Sequence, residues 1–154
     1  KAMEKISSSS EMIDTLNYLA LEKKIPILGV CLGMQLLTDF SEEGKVSGLG
    51  WIKGKTKKFS IINDIKIPHM GWNRSTPCIN NLLTNDLSKD ARYYFVHSYY
   101  VEVYEESSRM MTTNYGKKFD SGIVNDSGNI FGVQFHPEKS HKYGMQIYKN
   151  FIEL

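Results

Sequence analysis

The sequence predicts an α/β fold in three layers, with a mostly parallel central sheet and helices on both faces. Two stretches carry that prediction. Ile25 to Val30 is continuously apolar, as a strand buried on both faces must be, and it passes through Cys31 straight into Leu32 to Phe40, which reads as a helix. Ile130 to Phe135 is a second buried strand, and Tyr143 to Ile152 closes the chain as a helix. Strand, turn and helix in that order indicate a parallel sheet wound with helices.

The remaining elements follow in chain order. Ser7 to Ser10 with Glu11 is a helix-start signal. Met12, Ile13, Leu16, Leu19 and Ala20 recur at helical spacing and predict an amphipathic helix over about residues 10 to 24. Ser41 to Gly50 is polar and glycine-rich, a loop. Thr56 to Ile67 predicts two short strands around a turn at Asn63-Asp64. Pro68 to Asn73 reads as irregular, Ile79 to Leu83 as a short helix, and Tyr93 to Tyr104 as an aromatic strand. Met110 to Tyr115 and Phe119 to Val124 are further strands, followed by a turn at Asn125 to Asn129. Residues 56–67 and 93–124 are expected as a short antiparallel excursion at one side of the sheet. The chain begins at Lys1 and enters a helix almost at once, yet the strand ending at Val30 needs sheet neighbours. Earlier strands are therefore expected ahead of residue 1, with residues 1–154 forming one domain.

Bulk properties narrow the function. At 154 residues the chain is long enough for one real core, and 41% hydrophobic with 23% charged residues is a globular balance. A net charge of +2 is too small to argue for nucleic acid. No apolar stretch is long enough to span a bilayer. With only two cysteines, Cys31 and Cys78, a disulfide scaffold is improbable and a reducing, cytoplasmic setting fits. No histidine or cysteine pair has metal spacing, and the glycines match neither a phosphate loop nor a dinucleotide fingerprint, so no metal and no cofactor are expected.

The chemistry centres on Cys31. Glycines stand at −2 and +2 from it, Gly29 and Gly33, a coincidence expected by composition only about once in 200. A cysteine between strand and helix, bracketed by glycines, reads as a nucleophile elbow: a strained turn whose helix packs on its strand too closely for side chains at the bracketing positions. The helix N-terminus is expected to lower the thiol pKa toward neutrality, and the Leu32 amide can donate to a developing oxyanion. The bland alternative is an inert core cysteine. A cysteine nucleophile needs a base, and four histidines are present. His136 is best placed, because it emerges from the 130–135 strand at the edge where the elbow sits. Pro137 biases it toward extended backbone, so Glu138, two residues on, projects beside it and can orient the imidazole. That is the Cys–His–acid arrangement of covalent catalysis. His97, inside an aromatic strand, reads as a core residue or a wall of the site; His69 as structural or interfacial; His141 as a helix-start residue.

These residues identify a resemblance. Gly-Val-Cys-Leu-Gly-Met-Gln at 29–35 with Phe-Gly-Val-Gln-Phe-His-Pro-Glu-Lys-Ser at 131–140 is similar to the class I (triad) glutamine amidotransferases, whose fold is flavodoxin-like. Ile67 to Asn73 and Tyr94 to Tyr99 resemble one branch, the glutaminase subunits of imidazole glycerol phosphate synthase. The resemblance implies that Cys31 attacks the side-chain amide of L-glutamine, with His136 moving protons, Glu138 holding His136 and the Leu32 amide an oxyanion donor. It implies that Gln35 and Glu43 line the glutamine pocket and that Ser98 and Tyr99 meet substrate through their backbones. For Glu43 the plain alternative is a solvated loop carboxylate. The resemblance also implies a heterodimer, in which a (β/α)-barrel cyclase receives the ammonia; Trp72, Asn73, Tyr94 and Lys139 are the candidates for the docking face, since a large aromatic on an irregular loop suits an interface anchor. For Trp72 the alternative is core packing. The family's glycine-rich oxyanion segment would lie ahead of the first helix here. Two other readings remain: the same chemistry serving amidination of an amino sugar in bacterial surface polysaccharide, as Gly50-Trp51-Ile52 and Lys139 to Met145 suggest, and a non-catalytic scaffold domain keeping the fold. A papain-like protease lacks the expected strand order and any downstream Asn signature.

Overall fold

The computed structural model describes residues 2–60 and 65–154. Helices α1 (Ala2–Ser7) and α2 (Ser10–Asn17) open the chain, and α2 continues into a π-helical turn, Tyr18–Glu22. The serine signal acts through Ser9, whose hydroxyl caps α2 by accepting from the Met12 N–H. There follow β1 (Ile27–Val30), α3 (Leu32–Leu36), β2 (Phe40–Ser41), β3 (Val46–Ser47), β4 (Gly54–Lys58), β5 (His69–Arg74) and β6 (Thr76–Pro77). Then come β7 (Arg92–His97), β8 (Tyr99–Val103), β9 (Arg109–Tyr115), β10 (Lys117–Val124), β11 (Ile130–Val133) and α4 (His141–Ile152).

The main sheet runs β1-β11-β10-β8-β4-β2-β3, with β9 on β10 and β6 on β9; β5 and β7 make a separate ribbon. The α/β class is as expected, and the sheet is mixed. β1–β11 and β2–β4 are parallel, and the other pairings among the described residues are antiparallel. The antiparallel part is thus larger than the expected excursion.

Two apolar cores make the layers. Along β1 and β11 the side chains alternate. Ile27 and Ile130 face Ala20, Met34 and Leu37 beneath the π-turn and α3. Leu28, Val30, Phe131 and Val133 face Phe95, Phe135 and Ile147 beneath α4. Period-two alternation with both faces apolar is what a strand sandwiched by helices requires.

Several local expectations change. Pro68 to Asn73 is mostly strand: β5 pairs antiparallel with β7 from His69↔His97 to Arg74↔Arg92. The Asn63-Asp64 turn lies outside the described residues, and Ile65 to Ile67 form no strand. The short helix near residue 80 is a 3-10 turn at Leu82–Thr84. The helix after Cys31 ends at Leu36 rather than Phe40. Backbone N–H groups of Leu49, Ile52 and Gly50 take the carbonyls of Leu36, Leu37 and Thr38, which satisfies the helix end from a neighbouring loop. The Tyr93–Tyr104 strand breaks at Ser98, where the chain leaves the ribbon and enters the main sheet.

The bracketing glycines are not equivalent. A Cβ on Gly29 would lie 2.7 Å from the carbonyl carbon and oxygen of Gly33 and 2.8 Å from Met34 N, all backbone. A Cβ on Gly33 would meet nothing within 4 Å, contrary to the expected clash. Gly29→Ala should therefore cost about 2–3 kcal/mol by forcing α3 off β1. Gly33→Ala, in an open helical position, should be neutral or gain up to about 1 kcal/mol. Urea unfolding of the two variants checks this asymmetry.

The ribbon holds a buried histidine pair. His69 Nδ1 lies 2.9 Å from His97 Nε2, His97 Nδ1 lies 2.7 Å from the Tyr99 carbonyl, and Asn73 Nδ2 lies 3.3 Å from His69 Nε2. Burial, above all, pushes His69 down to about 3 and His97 down to about 4. An unfolded chain protonates both near pH 6.5, so acid favours unfolding: stability is complete above about pH 7 and falls as pH drops toward the folded values. Between pH 7 and pH 5 the loss should be about 2 kcal/mol for each histidine, read from urea titrations at the two pH values.

Candidate active site

Cys31 sits at the tip of β1 with φ 52° and ψ −105°, a conformation that a side chain normally avoids. Its N–H donates to the Val133 carbonyl at 2.8 Å, and α3 starts at the next residue. The elbow reading is therefore correct in its backbone. The parallel register Gly29↔Gly132 and Val30↔Val133 sets Cys31 beside Gln134 and leaves His136 at the same edge of the sheet.

The backbone of His136 is tied on both sides. Its N–H donates to the Tyr94 carbonyl at 2.9 Å. The Ser140 hydroxyl donates to the His136 carbonyl at 2.6 Å and accepts from Tyr94 N at 3.0 Å. Nδ1 of His136 lies 2.7 Å from Glu138 Oε1. Glu138 in turn lies against Tyr148 of α4, whose phenol is held above its ordinary value by burial first and by the Glu138 charge second. The other ring nitrogen, Nε2, is buried and has no hydrogen-bond partner. An imidazole fixed through Nδ1 with a free Nε2 is an oriented proton acceptor.

The sulfur has neighbours of its own. Gln134 Nε2 donates to Cys31 Sγ at 3.6 Å, and Sγ lies 4.0 Å from the Val96 carbonyl. No hydrogen bond joins Sγ to His136 in this resting geometry. The thiol pKa is raised rather than lowered toward neutrality. Burial is the largest cause and the carboxylates of Glu138 and Glu43 add to it; the Leu32 N–H and Gln134 pull the other way without winning. A half-buried sulfur between two carboxylates rests as a thiol, and a short helix of five residues does not overcome that.

A groove of about 390 Å³ opens beside the sulfur. Cys31, Leu32, Gln35, Glu43, Ser98 and Tyr99 all line it, with Pro68, Val96 and His97 completing the wall; His136 and Glu138 are not part of this lining. Gln35 is buried, with Nε2 donating to the Tyr99 carbonyl at 3.3 Å and to Gln134 Oε1 at 3.2 Å. The Tyr99 carbonyl therefore holds two donors, Gln35 and His97, and is full; the Ser98 carbonyl accepts from Phe59 N. Backbone contact from Tyr99 to a ligand is left to its N–H. Glu43 is exposed, near enough to the sulfur to act on it electrostatically.

The expected docking residues divide. Trp72 is 47% exposed, so core packing does not explain it; it stacks on His141 at 5.5 Å and meets Tyr94 edge-on at 6.1 Å. Lys139 Nζ lies 5.9 Å above the Tyr94 ring, and Met70, two residues before Trp72, is 61% exposed. These four share the outer side of the ribbon. Asn73 does not join them: alternation along β5 turns it toward His69, and its amide also donates to the Asn114 carbonyl. His141 starts α4 as expected, and His69 is buried structure.

Sequence reasoning passed over Gln134, Ser140 and the Val96 carbonyl. Only Gln134 had a signal, as a lone amide side chain in the apolar run Ile130 to Phe135. Among the described residues no group of three or more His, Cys, Asp or Glu side chains could hold a metal ion, and no helix is long and apolar enough to cross a membrane.

Residues 4–154 match the family Glutamine amidotransferase class-I. The chain is 52% identical over 142 residues to the imidazole glycerol phosphate synthase subunit HisH 2 of Methanococcus maripaludis, covering 92% of this chain and 69% of that protein. It is 46% identical over 155 residues to the HisH subunit of Leptospira interrogans, covering 99% of this chain and 74% of that one. Among solved structures it resembles PurLQS from Thermotoga maritima, with TM-score 0.67, 21% identity and coverage of 88% and 64%. It also resembles a putative GMP synthase subunit from Thermoplasma acidophilum, with TM-score 0.64, 20% identity and coverage of 96% and 66%. The structural likenesses speak for the fold, and the sequence relatives for the family. With its motifs, its elbow and these relatives in agreement, the chain belongs to the class I glutamine amidotransferases.

Proposed function

We propose that this chain hydrolyses L-glutamine through a thioester on Cys31 and hands the ammonia to a (β/α)-barrel synthase subunit that makes imidazole glycerol phosphate for histidine biosynthesis. One observation carries the chemistry. A cysteine on a strained elbow shares a sheet edge with a histidine whose Nδ1 is held by Glu138 at 2.7 Å and whose Nε2 is unpartnered. The HisH relatives support the choice of pathway over sugar amidination, and the intact Cys31, His136 and Glu138 speak against a bare scaffold.

The steps follow from the groups present. Rotation of the S–H bond away from the Val96 carbonyl frees the proton for His136 Nε2, which takes it, while the sulfur keeps its place beside Gln134. The sulfur attacks the carboxamide carbon of glutamine, and the oxygen that gains charge is met by the Leu32 N–H. His136 returns the proton to the leaving nitrogen, and ammonia departs. Water, deprotonated by the same Nε2, then opens the thioester and releases glutamate. Glu138 keeps the imidazole aligned through both halves. Glu43 suits the substrate ammonium, and Gln35 with the Ser98–Tyr99 wall fixes its length.

Ammonia released into water near neutrality is mostly protonated and no longer a nucleophile. The product therefore calls for direct transfer to a partner, in a reducing cytoplasm that keeps Cys31 and Cys78 as free thiols. The outer side of the β5–β7 ribbon, with Met70, Trp72, Tyr94 and Lys139, offers an aromatic anchor within one strand of His136.

Steady-state assays of glutamate release, with the barrel partner present, test this directly. Cys31→Ala should abolish turnover, and full activity in that variant would defeat the covalent route. His136→Asn should lower kcat about 10³-fold. Glu43→Gln should raise KM about tenfold with little change in kcat, as loss of a substrate-ammonium contact requires. Trp72→Ala should weaken partner binding at least about tenfold in titration calorimetry.

A further inference from the structure

Gln134 is the buried amide against the reactive sulfur. It is fully buried at the end of β11, with Nε2 donating to Cys31 Sγ at 3.6 Å and Oε1 accepting from Gln35 Nε2 at 3.2 Å. The partners of a glutamine amide fix which end faces which way. The Tyr99 carbonyl can only accept, so Gln35 must present its NH2 group there, at 3.3 Å. The same NH2 faces Gln134, which must answer with its oxygen. The NH2 of Gln134 is left pointing at the sulfur. The reversed amide would set N–H against N–H at Gln35 and a carbonyl against the sulfur lone pairs.

We propose that Gln134 is a further catalytic residue, whose carboxamide N–H, aimed by Gln35, stabilises the thiolate of Cys31. The step is a proton transfer. The Sγ–H bond breaks, the proton passes to His136 Nε2, and the electron pair stays on sulfur, where the Gln134 N–H meets it. A hydrogen bond to an ionised acceptor is about twice as strong as one between neutral groups, so the contact favours the ionised sulfur. The site needs such a donor. Burial, Glu138 and Glu43 all favour the neutral thiol, and the donors opposing them are the Leu32 N–H and Gln134. Gln35 thereby acts on the sulfur through Gln134 as a positioning residue, in addition to lining the groove.

The inference rests on Cys31 being the nucleophile, but its test needs no glutamine. In a Cys78→Ser background, which removes the exposed second thiol, the rate of Cys31 alkylation by iodoacetamide is followed against pH. Gln134→Glu keeps the shape and the acceptor for Gln35 while replacing the N–H donor with a carboxylate. Gln134→Met removes the donor without adding charge. Both should move the alkylation midpoint up by about one pH unit and slow alkylation at pH 7.5 about tenfold. Curves for folded variants that superimpose on the parent overturn the proposal. Should neither variant fold, the parent decides: the Gln134 side-chain N–H resonances should titrate with the Cys31 midpoint, and their failure to move also overturns it. A shifted midpoint in a chain that turns over no glutamine, with partner present, would uphold the inference about the sulfur while sinking the glutaminase reading.

Discussion

The structure depends on the parallel pairing of β1 with β11. Strands separated by about a hundred residues lie side by side in the register Val30↔Val133, locked at the end by the Cys31 N–H on the Val133 carbonyl. A slip of one residue would turn the moving strand's pair, Leu28 and Val30 or Phe131 and Val133, out of one core and into the other. The two apolar faces therefore fix the register, and the register puts sulfur and imidazole on one edge. The geometry of the candidate site is here a by-product of core packing. The elbow adds the second constraint, because a positive φ at a cysteine persists only where the surroundings determine it. Gly29 supplies that determination by letting α3 lie directly on the strand.

Much of this was legible in the residues, and what was not has a physical reason. The buried strands, the elbow and the pairing of His136 with Glu138 each come from a local pattern: continuous apolarity, a bracketed cysteine, an alternating His-Pro-Glu. Strand pairing is not local. The ribbon strand at 69–74 contains a glycine, a polar asparagine and an arginine, and its pairing with residues 92–97 stabilises what its own composition does not announce. The shortened α3 was invisible for the same reason, since the donors that end it come from residues 49–52. The equivalence of Gly29 and Gly33 was a symmetry of spacing that the three-dimensional surroundings do not share.

The thiol's resting state shows where a local rule loses to the environment. A helix N-terminus favours an anion, yet its field falls off within a turn and competes with desolvation of the whole sulfur. With Glu138 and Glu43 both adverse, the neutral form wins. That outcome suits the proposed glutaminase. A thiol that ionises only when its proton has an oriented acceptor is protected from idle reaction, and the proposed acceptor is the unpartnered Nε2 of His136.

The ribbon links the outer face of the domain to this site by two routes. One is the β7 backbone: Tyr94, on the outer side with Trp72, gives its carbonyl to the His136 N–H, and Val96, two residues on, reaches the sulfur. The other is a directed chain of hydrogen bonds. The Tyr99 carbonyl can only accept, so His97 Nδ1 carries a hydrogen and His97 Nε2 does not. His69 Nδ1 must then donate to His97, and His69 Nε2 accepts from the Asn73 amide. Each bond determines the next, both imidazoles are neutral in a single tautomer, and reversing any one of them would orphan a buried group. The wall of the groove at Tyr99 is thus held from the strand that carries Trp72. A partner docked there, as proposed, would be joined by hydrogen bonds to His136 and to the groove wall at Tyr99 without touching either.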